Sequence, residues 1–134
     1  MKFKLLGKSG LRVSELALGA MTFGQDWGWG ADPAESRRMF DIYIDYGGNF
    51  IDAANQYTNG ALEVMVGEFA GDRGKRLVLA TKHTLTTRVG DPKSGGNHHK
   101  SMARSVESSL KRMNTDYINL LWTTRSQLTR HSII

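Results

Sequence analysis

The chain has 134 residues, 40% of them hydrophobic and 23% charged, the balance of one globular domain rather than of a disordered or fibrous chain. It has no cysteine, which excludes a disulfide framework and a thiolate metal centre. The formal charge is +5, and no apolar run has the length of a secretory leader or a membrane span, so the sequence reads as cytoplasmic with no membrane partner.

The charge is uneven: residues 1–72 carry 6 basic and 10 acidic groups, residues 73–112 carry 10 and 2. In that basic middle the cations are interleaved with hydroxyls, glycines and helix-spaced apolar residues rather than with aromatics. This is the pattern of a solvated helix face and loop, and it argues against a nucleic-acid partner.

Residues 3–18 hold two short apolar-containing runs joined by Gly7-Lys8-Ser9-Gly10, which predicts a hairpin leading into a buried strand that stops at Gly19. A glycine-rich aromatic loop follows from Met21 to Gly30. Asp32-Pro33-Ala34-Glu35 then supplies an N-cap, a first-turn proline and a reciprocal acid. The helix they open carries Met39, Phe40, Tyr43, Ile44 and Tyr46 at helical spacing and stops at Gly47-Gly48. Asn49 to Asp52 is a short strand ending on a carboxylate, Ala53 to Gly60 is irregular, and a second helix runs near Ala61 to Phe69. Leu77 to Lys82 is a near-continuous apolar strand ending on a cation. Ser101 to Met113 is a helix with Met102, Val106, Leu110 and Met113 on one face, and Tyr117 to Trp122 is a fourth strand.

Strands apolar on both faces, separated by helices, belong in a parallel sheet covered by helices, so the class is α/β. The stretch from Thr84 to Lys100 exceeds an ordinary connection and is either functional or disordered. Residues 123–134 lose the pattern and read as a polar, basic tail.

Three residues lie where an α/β sheet presents its active face, at or past the carboxyl ends of strands: Asp52, Tyr57 and Lys82. An acid, a phenol and an amine together make a proton-transfer set, because an ammonium favours the phenolate and a carboxylate positions the ammonium. Singly, each has a structural explanation: a loop cap, a half-buried aromatic, a lysine reaching from a strand end.

Gly19-Ala-Met-Thr-Phe-Gly24, Asn49-Phe-Ile-Asp-Ala-Ala-Asn-Gln-Tyr57, Leu79-Ala-Thr-Lys82 and Leu110-Lys-Arg-Met-Asn-Thr-Asp-Tyr-Ile118 occur in the order in which the aldo-keto reductase superfamily carries such words. The chain resembles that superfamily from about Phe3 to Trp122. The resemblance implies a (β/α)₈ TIM barrel that binds NADP(H) and reduces the carbonyl group of small aldehydes or ketones by hydride transfer. Carried over residue by residue, Tyr57 would protonate the carbonyl oxygen, Lys82 would ease the loss of that proton, and Asp52 would hold Lys82 charged and oriented. Met21, Thr22 and Asp52 would face the nicotinamide ribose. Trp27 and Trp29 would wall the substrate pocket, or form a packed lid.

Two departures qualify that picture. The family ends its fourth strand with a histidine that orients the carbonyl, and the matching position is Thr124, which lacks the imidazole's reach and titration. His83, His98, His99 and His131 do not replace it by register: His83 would face away from Lys82, and His98-His99 lies in the long loop. No metal ligand set is expected. The other departure is length. A (β/α)₈ barrel needs about 250 residues, whereas residues 1–122 supply the hairpin and about four β/α units, a half-barrel, and residues 123–134 a tail unlike the family. The sequence therefore reads as an N-terminal, truncated or frameshifted part of an NADP-dependent oxidoreductase, inactive alone. The alternative is a non-enzymatic half-barrel acting as an interaction or regulatory module. In both readings the exposed sheet edges favour self-association or pairing with another chain.

Overall fold

A computed structural model of the chain describes residues 1–124. The basic tail expected over 123–134, and His131 with it, lies outside the described residues from 125 onward. The hairpin is β1 (Phe3–Leu5) and β2 (Arg12–Ser14), antiparallel, with Phe3 opposite Ser14 and Leu5 opposite Arg12. The predicted continuous run from there to Gly19 is broken. β3 (Leu18–Gly19) is a separate strand in a second sheet, whose order is β3, β4 (Phe50–Asp52), β5 (Val78–His83), β6 (Leu120–Thr123), all parallel. Ser14 and Asn49 join the two sheets: Ser14 N–H donates to Asn49 Oδ1 at 2.7 Å, and Asn49 N–H donates to Ser14 Oγ at 3.2 Å. Tyr43 bridges the same junction, its hydroxyl donating to Leu16 O at 2.8 Å and accepting from Phe50 N–H at 3.0 Å.

α1 (Pro33–Asp45) begins as its sequence demands, with Asp32 Oδ1 accepting from Glu35 N–H at 2.8 Å. The reciprocal half of the capping box is not made; Glu35 binds Arg38 instead. Phe40 is fully buried, and Met39, Tyr43 and Ile44 pack against the core. Tyr46, expected on the same face, is 73% exposed, because it is the C-cap residue and the helix has already ended. Phe40 and Phe23 flank Phe69 of α2 (Ala61–Ala70), with ring centroids 5.7 and 6.2 Å from it. Burial of each large apolar side chain in this layer contributes roughly 1.5 to 3 kcal/mol.

α3 (His99–Arg112) differs from expectation in two ways. His98 is not in a loose loop but is the N-cap, its Nδ1 accepting from Ser101 N–H at 3.2 Å. The residues that α3 buries are Ser101 and Ser109, whereas Met102 is 37% exposed. Small residues face inward because α3 packs closely on α2 and β5: Arg112 reaches Glu63 of α2 there, and Asn55 reaches Ser105. Gly67 marks the same closeness, since a Cβ there would sit 2.3 Å from Met113 O.

The register decides the two faces of the sheet. Ile51, Leu79, Thr81 and His83 point toward the helices and are buried. Phe50, Asp52, Val78, Ala80, Lys82, Leu120 and Trp122 share the other face, which would be a barrel's interior. Among the described residues, no helix is long and apolar enough to cross a membrane.

Candidate active site

β4 and β5 are paired so that Asp52 lies opposite Ala80. Two residues further along β5, on the same face by strand alternation, stands Lys82. A long side chain spans that diagonal, and Lys82 Nζ donates to Asp52 Oδ2 at 2.7 Å and to Ala53 O at 2.8 Å. The pair is partly sheltered, the side chains retaining 16% and 32% of their exposure. The second carboxylate oxygen, Asp52 Oδ1, is buried and has no hydrogen-bond partner among the described residues.

Beyond β4 the backbone continues the ladder, with Ala53 N–H bonded to Ala80 O and Asn55 N–H to Lys82 O. It then turns sharply through a 3₁₀ segment, Tyr57–Gly60, in which Thr58 and Asn59 adopt φ of 46° and 54°. A β-branched residue in the left-handed region is strained. Thr58 is held there by burial and by its hydroxyl, which accepts from Leu62 N–H at 2.9 Å in the first turn of α2. The turn sets Tyr57 beneath the ammonium: Lys82 Nζ is 5.1 Å from the Tyr57 ring centroid, a cation–π distance. Trp27 meets the Tyr57 ring edge-on at 6.2 Å, and Trp29 lies 5.7 Å from Trp27. The three candidates and the two tryptophans thus form one connected group.

The loop from Met21 closes on itself. Ala31 N–H donates to Thr22 O at 2.8 Å, Gly24 N–H donates to Ala31 O at 2.9 Å, and Phe23 is buried beneath. Gly30 is required at this closure: its φ is +117° and a Cβ would lie 2.3 Å from Gly24 O. Met21 is 44% exposed and Thr22 is exposed. A mainly apolar hollow of about 530 Å³ opens on the sheet's inner face, lined by Gly19, Phe50, Asp52, Lys82, Trp122 and Thr124 among others.

Thr124 donates its hydroxyl proton to His83 O at 2.9 Å, closing the ends of β5 and β6 together. His83 itself faces the helices and is 1% exposed, with neither ring nitrogen partnered among the described residues. Burial pushes its imidazole below the ordinary histidine value. Behind Lys82, Thr81 Oγ1 donates at 2.6 Å to Glu63, a fully buried carboxylate that Arg112 binds through Nε at 2.7 Å. This group was not singled out from the sequence. Glu63 and Arg112 are 49 positions apart, and each taken alone reads as an ordinary helix-surface charge.

Comparison with known proteins adds the family. The Aldo/keto reductase family matches residues 15–126. Norsolorinic acid reductase of Aspergillus flavus is 42% identical over 128 residues, covering 88% of this chain and 33% of its own length. An aryl-alcohol dehydrogenase of Phanerodontia chrysosporium, named for NADP(+), is 38% identical over 127 residues, 84% of this chain and 33% of its own. In the solved structure of aldo-keto reductase AKR11C1 from Bacillus halodurans (holo form), 32% identical, the match covers 92% of this chain and 40% of that one with a TM-score of 0.76. The chain spans about a third of the length of these curated relatives, and its parallel sheet with covering helices is part of a (β/α)₈ barrel. With the sheet order, the sequence and the structural match in agreement, the chain belongs to the aldo/keto reductase family of oxidoreductases.

Proposed function

We propose that this chain carries the proton-donating half of an NADP(H)-dependent carbonyl reductase site, with Tyr57 as general acid. The observation that supports the reading best is Lys82, bonded to Asp52 and Ala53 O and poised over the Tyr57 ring. NADP(H), when bound, supplies the hydride. Asp52 Oδ1 is a buried acceptor with no donor among the described residues, the group that a ribose hydroxyl needs, so the residues fit the nicotinamide end of that cofactor, where Met21, Thr22 and Asp52 would hold it.

Tyr57 gives its phenolic proton to the carbonyl oxygen as negative charge develops there, with the Lys82 ammonium over its ring. Asp52 keeps Lys82 from swinging into solvent. Trp27 packs edge-on against the Tyr57 ring and supports its position. Thr124 gives no carbonyl-orienting donor, because its proton is already committed to His83 O. The chain alone is therefore inactive in this reading, since positioning of the hydride donor precedes any benefit from acid catalysis.

The test joins residues 1–123 of this chain to the remaining segment of the Bacillus halodurans enzyme, with Thr124→His at the junction, and follows NADPH-dependent reduction of 4-nitrobenzaldehyde. Turnover should fall by about 10²-fold or more in Tyr57→Phe, and the unfused chain should show none. A Tyr57→Phe fusion as fast as its parent would remove Tyr57 from the mechanism.

A further inference from the structure

The basic residues of the middle segment gather at a cavity that carbonyl reduction does not use. The loop after β5 is held in shape by Ser94, whose hydroxyl donates toward Arg88 O at 2.8 Å and Asp91 O at 2.9 Å, and by the 2.6 Å bond from Gly96 N–H to Thr84 O. Arg104 of α3 pairs with Asp91 at 3.5 Å and docks the loop on the helix. Between loop, helix and the turn after β4 lies a cavity of about 320 Å³.

Its wall carries four cations, Arg88, Lys93, Arg104 and Arg112, and no carboxylate. Arg112 is matched by Glu63 and Arg104 by Asp91. Arg88 and Lys93 have no carboxylate within ion-pair distance among the described residues, so the cavity keeps an excess of positive charge. The remainder of the wall is almost wholly hydroxyl and amide. Ser101 is 2% exposed, lines the cavity, and has its N–H taken by His98 Nδ1. Asn55, 4% exposed, lines the same space and donates to Ser105 Oγ at 3.4 Å. The first turn of α3 contains no acid, which leaves its positive end uncompensated toward an anion.

We propose that this cavity binds a small phosphorylated polyol. Guanidinium, ammonium and hydroxyl donors surround the space on several sides, which suits a tetrahedral oxyanion with three free oxygens better than a planar carboxylate with two. The amides of Gln56 and Asn59 and the remaining hydroxyls suit the alcohol groups of the attached polyol. The volume is at the lower end for small-molecule sites, about 300 to 1,000 Å³, and is too small for a dinucleotide. The site is independent of the reductase reading, although Asn55 and Gln56 directly precede Tyr57.

The experiment titrates the 134-residue chain calorimetrically, at fixed ionic strength, with inorganic phosphate, glucose 6-phosphate and glucose. Saturable one-to-one binding of both phosphates is expected, tighter by at least about threefold for glucose 6-phosphate, with none for glucose. R88Q/K93Q, both exposed positions, should weaken binding at least about tenfold with unchanged far-UV circular dichroism. Ser101→Ala should weaken it several-fold, and Lys111→Gln, a lysine on α3 outside the cavity, should leave it unaltered. Absence of saturable binding, or an equal loss in Lys111→Gln, overturns the site. Displacement of glucose 6-phosphate by NADPH but not by NADH would assign the cavity to a cofactor phosphate and overturn the polyol ligand.

Discussion

Lys82 and Asp52 are not opposite one another in the sheet, yet Nζ and Oδ2 are 2.7 Å apart, because the lysine leans back across one diagonal of the β4–β5 ladder. The ion pair therefore depends on strand register, and a slip of one residue would send Lys82 to the helix side.

Asp52→Asn should lower stability by about 1 to 2 kcal/mol, between the values typical of exposed and of buried pairs. Lys82→Met in the same background should then add less than it does alone. Urea midpoints of the four proteins check the coupling, and strict additivity would show that the contact contributes nothing.

Glu63 is fully buried and bound by Thr81 and Arg112. Arg112→Met leaves that carboxylate without its cation, at a cost of about 3 to 5 kcal/mol, much of the stability of a domain this small. Loss of the cooperative far-UV transition is the expected result; Glu63→Leu/Arg112→Met together should be milder than Arg112→Met.

The buried His83 imidazole, pushed down by desolvation, binds its proton more readily in the unfolded chain. Its contribution to stability is complete above the ordinary value of 6.5 and is lost as pH falls through that value toward the depressed folded one. Asp41 is held below its model-compound value of 3.8, first by its hydrogen bond from Arg37, so its own window lies lower, below 3.8. Melting temperatures between pH 7 and 5 should fall for the parent chain and stay nearly level for His83→Leu.

Among the described residues β3 and β6 are the outer strands of the four-stranded sheet, and Trp122 on β6 is 41% exposed on its inner face. Unpaired parallel edges recruit partners, so the chain is expected to associate as concentration rises in sedimentation velocity, and Trp122→Lys to reduce that association. A single monomeric species at all concentrations would count against it.

Much of the fold is local in origin and legible as such. Asp32, Pro33 and Glu35 mark the start of α1, and the apolar runs of β4, β5 and β6 announce a parallel sheet packed against helices, though the second face of that sheet is open among the described residues. Asp52, Tyr57 and Lys82 can be grouped because each follows or ends a strand. What the sequence hides is long-range. Ser101 and Ser109 are buried because α3 approaches its neighbours closely, a fact that periodicity scores against them. His98 caps α3 with an imidazole, which is not a usual capping group. The break between Ser14 and Leu18 follows from the Ser14–Asn49 and Tyr43–Leu16 bonds, contacts that span 35 and 27 positions.

The placement of the aromatic loop has an optical consequence. All three tryptophans of the chain, Trp27, Trp29 and Trp122, lie at the same end of the sheet or on its inner face, and the buried core contains none. Intrinsic fluorescence excited at the indole band therefore reports on the rim of the hollow. The 5.7 Å separation of Trp27 and Trp29 makes them an exciton-coupled pair whose near-ultraviolet dichroism changes when that loop moves, while the Phe23–Phe40–Phe69 cluster contains no indole and is not seen in that band.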